Sequence, residues 1–363
     1  MWSCDRIVDV FFWGGVSLLV TSLISILSML SLVGFGLVFV TLWSLSASIC
    51  LILAQLKIPT EKKAVLITGC DTGIGYALAI HLHEMGFRVF AGCLLADTGG
   101  EGAKRLRQVK SERFHVLQMD VTCQEQIKAA LQEVKGILPE GEVLWGIVNN
   151  AGVSAFGEVE WVPLETYKKL LEINVLGTVR VTKAFLPFVR KSQGRIVNMA
   201  SVCGHIGRAT MSPYVLSKFA LEGFSECLRQ EMVPWGVSVC IIEPSNYSAG
   251  TEITSEDNLE RQRTNMWKNM SDDVKRDYSE EYFNQVVTTA KIHSNSGLRD
   301  ITPVLQSTAE ALTQNYPRAR YRPVTRYYYF KLFSVTHFPE WLYELLFVTH
   351  RHLPKRQNFV ENE

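Results

Sequence analysis

From Val10 to Leu56 the chain carries no charged residue. A run of that length has no place in a water-soluble core. As one continuous helix it would reach about 70 Å, more than twice the ~30 Å hydrocarbon core of a bilayer. The pattern predicts two spans, roughly residues 10–31 and 35–55, with the break at Gly34 and Gly36; one span followed by an interfacial segment is the alternative. Asp5 and Asp9 ahead of the run, together with its length, argue against a cleaved signal peptide. The same acidic start does not read as an Arg-rich mitochondrial presequence, which leaves an internal membrane signal as the route to that organelle. Lys57, Lys62 and Lys63 follow, and cations on that flank predict that it stays on the cytoplasmic side. The chain therefore divides into an anchor (1–56), a linker (57–63) and about 300 residues that fold in water, near the upper size for one core.

The water-facing part has no strong field. With 37 basic and 36 acidic residues the net charge is +1, which argues against a nucleic-acid partner. The eight cysteines include no C-x-x-C pair, and Cys70, Cys93, Cys203 and Cys240 sit in or beside apolar runs, where a thiol behaves as a small hydrophobe. A disulfide framework is not expected, so the domain faces a reducing compartment. No histidine spacing calls for a metal: His81 and His83, two apart on a helix, diverge. Asn246-Tyr247-Ser248 and Asn269-Met270-Ser271 would be glycan acceptors in a lumen, but a glycan at Asn246 would obstruct the loop discussed below, which favours the cytosol or mitochondrial matrix.

Short apolar runs alternate with helical stretches along the domain. Ala64–Thr68, Arg88–Leu94, His115–Asp120, Leu144–Asn149, Arg195–Ser201 and Val237–Glu243 read as strands. This alternation predicts an α/β, Rossmann-type doubly wound parallel sheet over residues 64–250, with helices on both faces. Ligands bind such sheets at the carboxyl ends of the strands. The glycine turn Thr68-Gly69-x-x-x-Gly73-Ile74-Gly75, Asp120-Val121, Asn149-Asn150-Ala151-Gly152, Ser201 and Pro244 all fall there.

These residues have a chemistry. Gly69 allows a tight turn, and Gly73 and Gly75 let backbone approach a pyrophosphate at a helix N-terminus. Alone such a turn is a weak signal. Tyr214 and Lys218, four apart on a helix, share a face. The lysine's charge is expected to draw the phenol pKa down from about 10, making a base for an alcohol proton. Ser201 would hydrogen-bond the substrate oxygen, and Asn174 would hold a water linking Lys218 to solvent. Asp71 lies inside the glycine turn and no Lys or Arg occurs in Gly92–Asp97, so a 2′-phosphate would be repelled and NAD is preferred over NADP. The expected reaction is hydride transfer between an alcohol and NAD.

The set of motifs resembles the short-chain dehydrogenase/reductase family over about residues 62–250. Leu66–Gly73, Val89–Leu94, Trp145–Gly152, Phe156–Glu160 and Leu164–Lys168 are similar to the branch containing D-3-hydroxybutyrate, retinol and hydroxysteroid dehydrogenases. The resemblance implies the tetrad Asn174, Ser201, Tyr214 and Lys218, NAD use, membrane association and homo-oligomers. It implies oxidation of a secondary alcohol to a ketone, at a mitochondrial or endoplasmic reticulum membrane. Two departures stand out. Pro244-Ser245 replaces the family's Pro-Gly, and serine tolerates positive φ poorly. Met211 stands three before the tyrosine, where a basic residue would suit a substrate carboxylate. His205 or Arg208 could supply that charge; otherwise a neutral retinoid or steroid fits better.

Residues 251–363 read differently. Met266, Trp267 and Met270 form an apolar stripe, either a packing face or a lid over the substrate. Thr302-Pro303 reads as a helix start. Between Arg318 and Phe347, aromatic and basic residues crowd together, as suits a membrane-lipid interface; a pocket wall or dimer face is the plainer alternative. A catalytically idle membrane scaffold is the non-enzyme reading, but it gives no reason to keep four tetrad residues together.

Overall fold

In the computed structural model, residues 4–28, 32–251 and 253–348 are described. The apolar run forms two helices, α1 (Cys4–Ser28) and α2 (Leu32–Gln55). Gly34 and Gly36 fall inside α2 rather than at the break. In an apolar environment a helix is the one way for a single segment to satisfy its own backbone, and glycine is tolerated there. α1 packs on α2 through a seam of small residues. A Cβ on Gly14 would lie 3.0 Å from the Trp43 ring. Ser17 Oγ is 3.4 Å from Ser46 Oγ, and Trp43 Nε1 donates to Val10 O at 2.8 Å. Close approach through small side chains is how helices associate in lipid.

Seven strands form one parallel sheet among the described residues. In chain order the elements are β1 (Lys63–Thr68), α3 (Gly73–Glu84), β2 (Arg88–Cys93), α4 (Glu101–Arg107), β3 (Phe114–Gln118), α5 (Gln124–Ile137) and β4 (Val143–Asn149). Then come α6 (Leu164–Leu171), α7 (Thr178–Ser192), β5 (Arg195–Met199), α8 (Ser212–Met232) and β6 (Ser238–Ile242). The remaining elements are α9 (Glu256–Asn269), α10 (Asp272–Tyr278), α11 (Glu280–Asn295), α12 (Thr302–Thr313), β7 (Arg320–Tyr321), α13 (Arg326–His337) and α14 (Glu340–Phe347). The strand order is β3-β2-β1-β4-β5-β6-β7. The order reverses between β1 and β4, and ligand sites form at such a switch point. Both faces of the sheet are covered by apolar packing, which is why its strands read as continuous apolar runs.

Three features lay beyond the sequence reading. The sheet extends past residue 250: Ile242 pairs with Tyr321 of β7, and Trp145 Nε1 donates to Leu312 O of α12 at 2.9 Å. The 57–63 segment is pinned, with Ile58 N donating to Thr313 O at 2.8 Å and Thr60 Oγ1 to Met85 O at 2.7 Å. α12 starts with Thr302 inside the helix, its N–H capped by Asp300 Oδ1 at 2.9 Å. The Met266/Trp267/Met270 stripe packs with Trp161, Tyr282 and Phe283 in a separate apolar cluster under α9–α11. No disulfide joins the described cysteines.

Candidate active site

The β1–α3 turn closes tightly. Gly69 has φ +70° and Gly73 φ +58°. A Cβ on Gly69 would sit 2.8 Å from Ala151 Cα, and one on Gly75 2.1 Å from Gly69 O. Gly75 therefore packs the helix against its own turn and does not line the cavity described below. Thr68 Oγ1 accepts from Asn150 N (3.1 Å) and Ala151 N (3.0 Å), while Asn150 Nδ2 donates to Thr68 O at 2.9 Å. The ends of β1 and β4 are thereby locked together. Thr72, at the N-cap of α3, makes no side-chain cap, so the helix presents its leading amides to this space, as suits an anion. Asp71 accepts from Leu94 N (2.7 Å) and Leu95 N (3.0 Å), holding the loop after β2. Asp120 accepts from Thr122 N at 2.8 Å and Thr122 Oγ1 at 2.7 Å.

Asn149 is a correction. Its Nδ2 donates to Thr182 Oγ1 (3.0 Å) and Asn198 Oδ1 (2.8 Å), away from the cavity. Strand alternation turns it from its neighbours, and Asn150 takes the loop-facing position.

Ser201 follows β5, its Oγ accepting from Cys203 N at 3.2 Å and lying 3.4 Å from Pro244 O. Tyr214 and Lys218 stand one turn apart on α8. The Ser201 side chain acts on the Tyr214 phenol and favours its ionised form. Lys218 Nζ lies 5.6 Å from the Tyr214 ring centroid and donates to Met199 O at 2.7 Å. Burial, more than any neighbour, governs both groups: it pushes the Tyr214 phenol well up and pulls Lys218 down to about 8. Burial and Cys203 raise the phenol and Ser201 lowers it; the lowering expected from Lys218 is not seen. Asn174 sits in a π-helical turn, Glu172–Gly177, between α6 and α7. Its Oδ1 accepts from Val153 N (2.8 Å), and its Nδ2 donates to Val153 O (2.9 Å) and Ser217 Oγ (2.9 Å). Both amide protons are engaged, so the side chain braces the site and does not line the cavity. Such π-turns recur at functional sites.

A single cavity of about 1120 Å³ runs along these strand ends. At one end lie Gly69, Asp71, Gly73 and Ile74, then Asp120 and Val121, then Ala151 and Gly152. Ser201, Tyr214, Lys218 and Pro244 follow, and Arg208 and Met211 lie in the loop before α8. His205 is a correction: it turns from the cavity to Glu243 Oε1 at 3.2 Å, on a fully buried carboxylate that also takes Arg320 Nε at 2.8 Å and Arg322 Nε at 2.9 Å. Burial would raise Glu243, but His205 and Arg322 hold it below the usual carboxylate range. Ser245 is not among the residues with positive φ, so this loop makes no demand for glycine.

The far wall comes from elements that sequence patterning did not assign to the site. Val286 and His293 of α11, and Tyr327, Tyr328 and Lys331 of α13, line the cavity. The aromatic–basic composition was visible, but its use was not. Arg318 pairs with Asp9, Arg320 with Glu222 at 3.2 Å, and Arg322 with Glu243. These cations bind protein carboxylates, so a lipid role for the segment falls to its exposed rings, such as Trp341 and Phe330.

Residues 63–262 match the family model described as short chain dehydrogenase. The chain is 44% identical over 77% of its length, and 82% of the relative's, to a protein of Bos taurus named D-beta-hydroxybutyrate dehydrogenase, mitochondrial. It is 41% identical to Estradiol 17-beta-dehydrogenase 2 of Mus musculus, over 86% of this chain and 78% of that one. Among solved structures, a short chain dehydrogenase/reductase from Burkholderia phymatum in complex with NAD matches with a TM-score of 0.60. The identity is 20%, over 77% of this chain and 93% of that one. That likeness bears on the fold.

Proposed function

The chain belongs to the short-chain dehydrogenase family, and on that premise we propose that it oxidises a secondary alcohol to a ketone with NAD, and runs the reverse reduction. The observation that carries this reading is the convergence of Ser201, Tyr214 and Lys218 on one cavity with the glycine turn. The uncapped start of α3 fits a pyrophosphate, and Gly69 leaves backbone room that a side chain would fill. Asp71 engages the loop after β2, and the cations lining the cavity, Lys169, Arg208, Lys218 and Lys331, lie outside the β1–α3 turn and the end of β2. A 2′-phosphate would meet no cation from those two segments, which favours NAD. Bound here, the dinucleotide supplies the hydride acceptor and, when oxidised, a further positive charge.

The chain's own residues handle the proton. Ser201 orients the alcohol oxygen and Tyr214 takes its proton. Lys218 offsets the resulting phenolate charge, and a relay beyond Lys218 would use backbone near Asn174 rather than its engaged amide. Between substrates, D-3-hydroxybutyrate is favoured by Arg208 in the cavity, with the named relative in support. A hydroxysteroid or retinol is the second reading, favoured by Met211 and the apolar walls from Phe156, Leu259 and Val286. We place the enzyme at a mitochondrial or endoplasmic reticulum membrane, its catalytic domain in a reducing compartment and in contact with lipid, as a homo-oligomer. The test is NADH formation by the detergent-solubilised chain with D-3-hydroxybutyrate beside a hydroxysteroid and retinol panel. Absence of turnover on every alcohol sinks the dehydrogenase reading.

A further inference from the structure

Met211 brings no charge to the cavity, but the cavity has another source of it. Lys331 is 4% exposed and lines the cavity. It lies on α13 within one turn of Tyr327 and Tyr328, which line the same wall. α13 is seated by Leu332 packing on Val202 and Ile206, directly after Ser201. The ammonium is braced from behind by α14, its Nζ 5.3 Å from the Phe347 ring centroid and 5.9 Å from that of Tyr343. Arg208, Lys218 and Lys331 line the same cavity as Ser201, and all three act on the Cys203 thiol two residues after it.

Three carboxylates line the cavity, and each has a partner of its own. Asp71 is engaged by Leu94 and Leu95 amides, Asp120 by Thr122, and Glu172 by Arg180. Resting on the dehydrogenase reading above, we propose that Lys331, with Arg208, forms the subsite for a carboxylate on the substrate. The substrate class is thereby a short hydroxy acid rather than a neutral lipidic alcohol. A carboxylate leaving water needs such partners, because an unpaired buried charge is costly. The C-terminal segment supplies from α13 what position 211 does not.

The experiment is steady-state kinetics of the full chain with D-3-hydroxybutyrate and with its methyl ester, which keeps the alcohol and removes the charge. The wild type is expected to prefer the acid. Lys331→Met should raise KM for the acid by about 10- to 100-fold with little change in kcat, as expected for lost charge-assisted binding, and leave kcat/KM for the ester unchanged. Lys331→Arg should recover most of the loss for the acid. A wild type that prefers the ester, or a Lys331→Met variant that affects acid and ester alike or neither, overturns the subsite while leaving the dehydrogenase reading standing. No turnover of any alcohol overturns both. If Lys331→Met does not fold, inhibition of the wild type by butyrate and butyramide decides: butyrate should inhibit at least about 10-fold more tightly, and equal inhibition overturns the proposal.

Discussion

At the scale of single residues, the site rests on two buried ionisable groups whose environments oppose their working forms. Tyr214 is held protonated by burial, and Lys218 is drawn down to about 8 from 10.5. Tyr214→Phe removes the proton carrier and little volume. It should lower turnover by about 10²- to 10⁴-fold, the range for a lost general acid–base, while NAD affinity by fluorescence titration changes little. Surviving turnover would mean that another group carries the proton. Lys218→Met makes a less obvious prediction. A shift of that size is ~3 kcal/mol against the folded charged lysine, and the hydrogen bond to Met199 O returns ~1 kcal/mol. The folded pKa lies below the unfolded one, so the penalty is full below about pH 8 and fades as pH rises towards 10.5. Lys218→Met should therefore abolish turnover yet raise stability by ~2 kcal/mol at pH 7 by denaturant titration, and the gain should vanish before pH reaches 10.5, where only the lost hydrogen bond counts. A destabilised variant at pH 7 would mean that the ammonium is better solvated than its burial implies.

At the scale of elements, the cofactor half and the substrate half are built from different material. The first is local: strand, glycine turn and helix follow one another in sequence, so Gly69, Gly73, Ile74, Asp120 and Ala151–Gly152 could be read from pattern alone. Errors there were errors of facing. Asn149 was assigned to the cofactor because it ends a strand, but alternation turns it to Thr182 and Asn198. The second half is long-range. That α13 returns Lys331 to the cavity lined by Ser201 depends on β7 joining the sheet at β6, and a two-residue strand leaves almost no periodic signal. The packing of α9–α11 depends likewise on Trp161, 1% exposed, whose ring meets Phe283 at 5.2 Å and Tyr278 at 5.1 Å between centroids. Trp161→Ala should cost about 3–5 kcal/mol of local packing. Limited proteolysis should then cut within residues 253–295 at least about 10-fold faster, substrate KM should rise, and NAD binding should persist. Equal loss of NAD binding would mean that α9–α11 and the β1–α3 turn unfold as one unit.

At the scale of the whole molecule, the anchor and the catalytic domain are joined at both ends of a helical hairpin. α2 leads directly into the domain, where Leu56 O accepts from Asn315 N at 2.9 Å. The start of α1 returns to the same region: Asp5 Oδ2 accepts from Arg322 N at 3.2 Å, Arg6 Nη2 lies 3.2 Å from Glu310 Oε1, and Asp9 pairs with Arg318. Three charged residues in the first turns of an apolar helix would be costly in hydrocarbon. Here each is matched by the domain, so the first turns of α1 lie against its surface. Between those turns and the end of α2 the outer faces stay apolar and exposed, with Leu19 at 72% and Leu32 at 88%. A hairpin that crossed a membrane and returned would put the N-terminus and the active site in the same compartment. With an N-terminal epitope tag on the full chain in sealed membranes, protease added from outside should remove tag and catalytic domain together, or protect both. A single span followed by an interfacial segment would instead separate them, one cut and the other protected. That outcome would also break the pairing of Asp5 and Asp9 with the residues on either side of β7 and of Arg6 with α12.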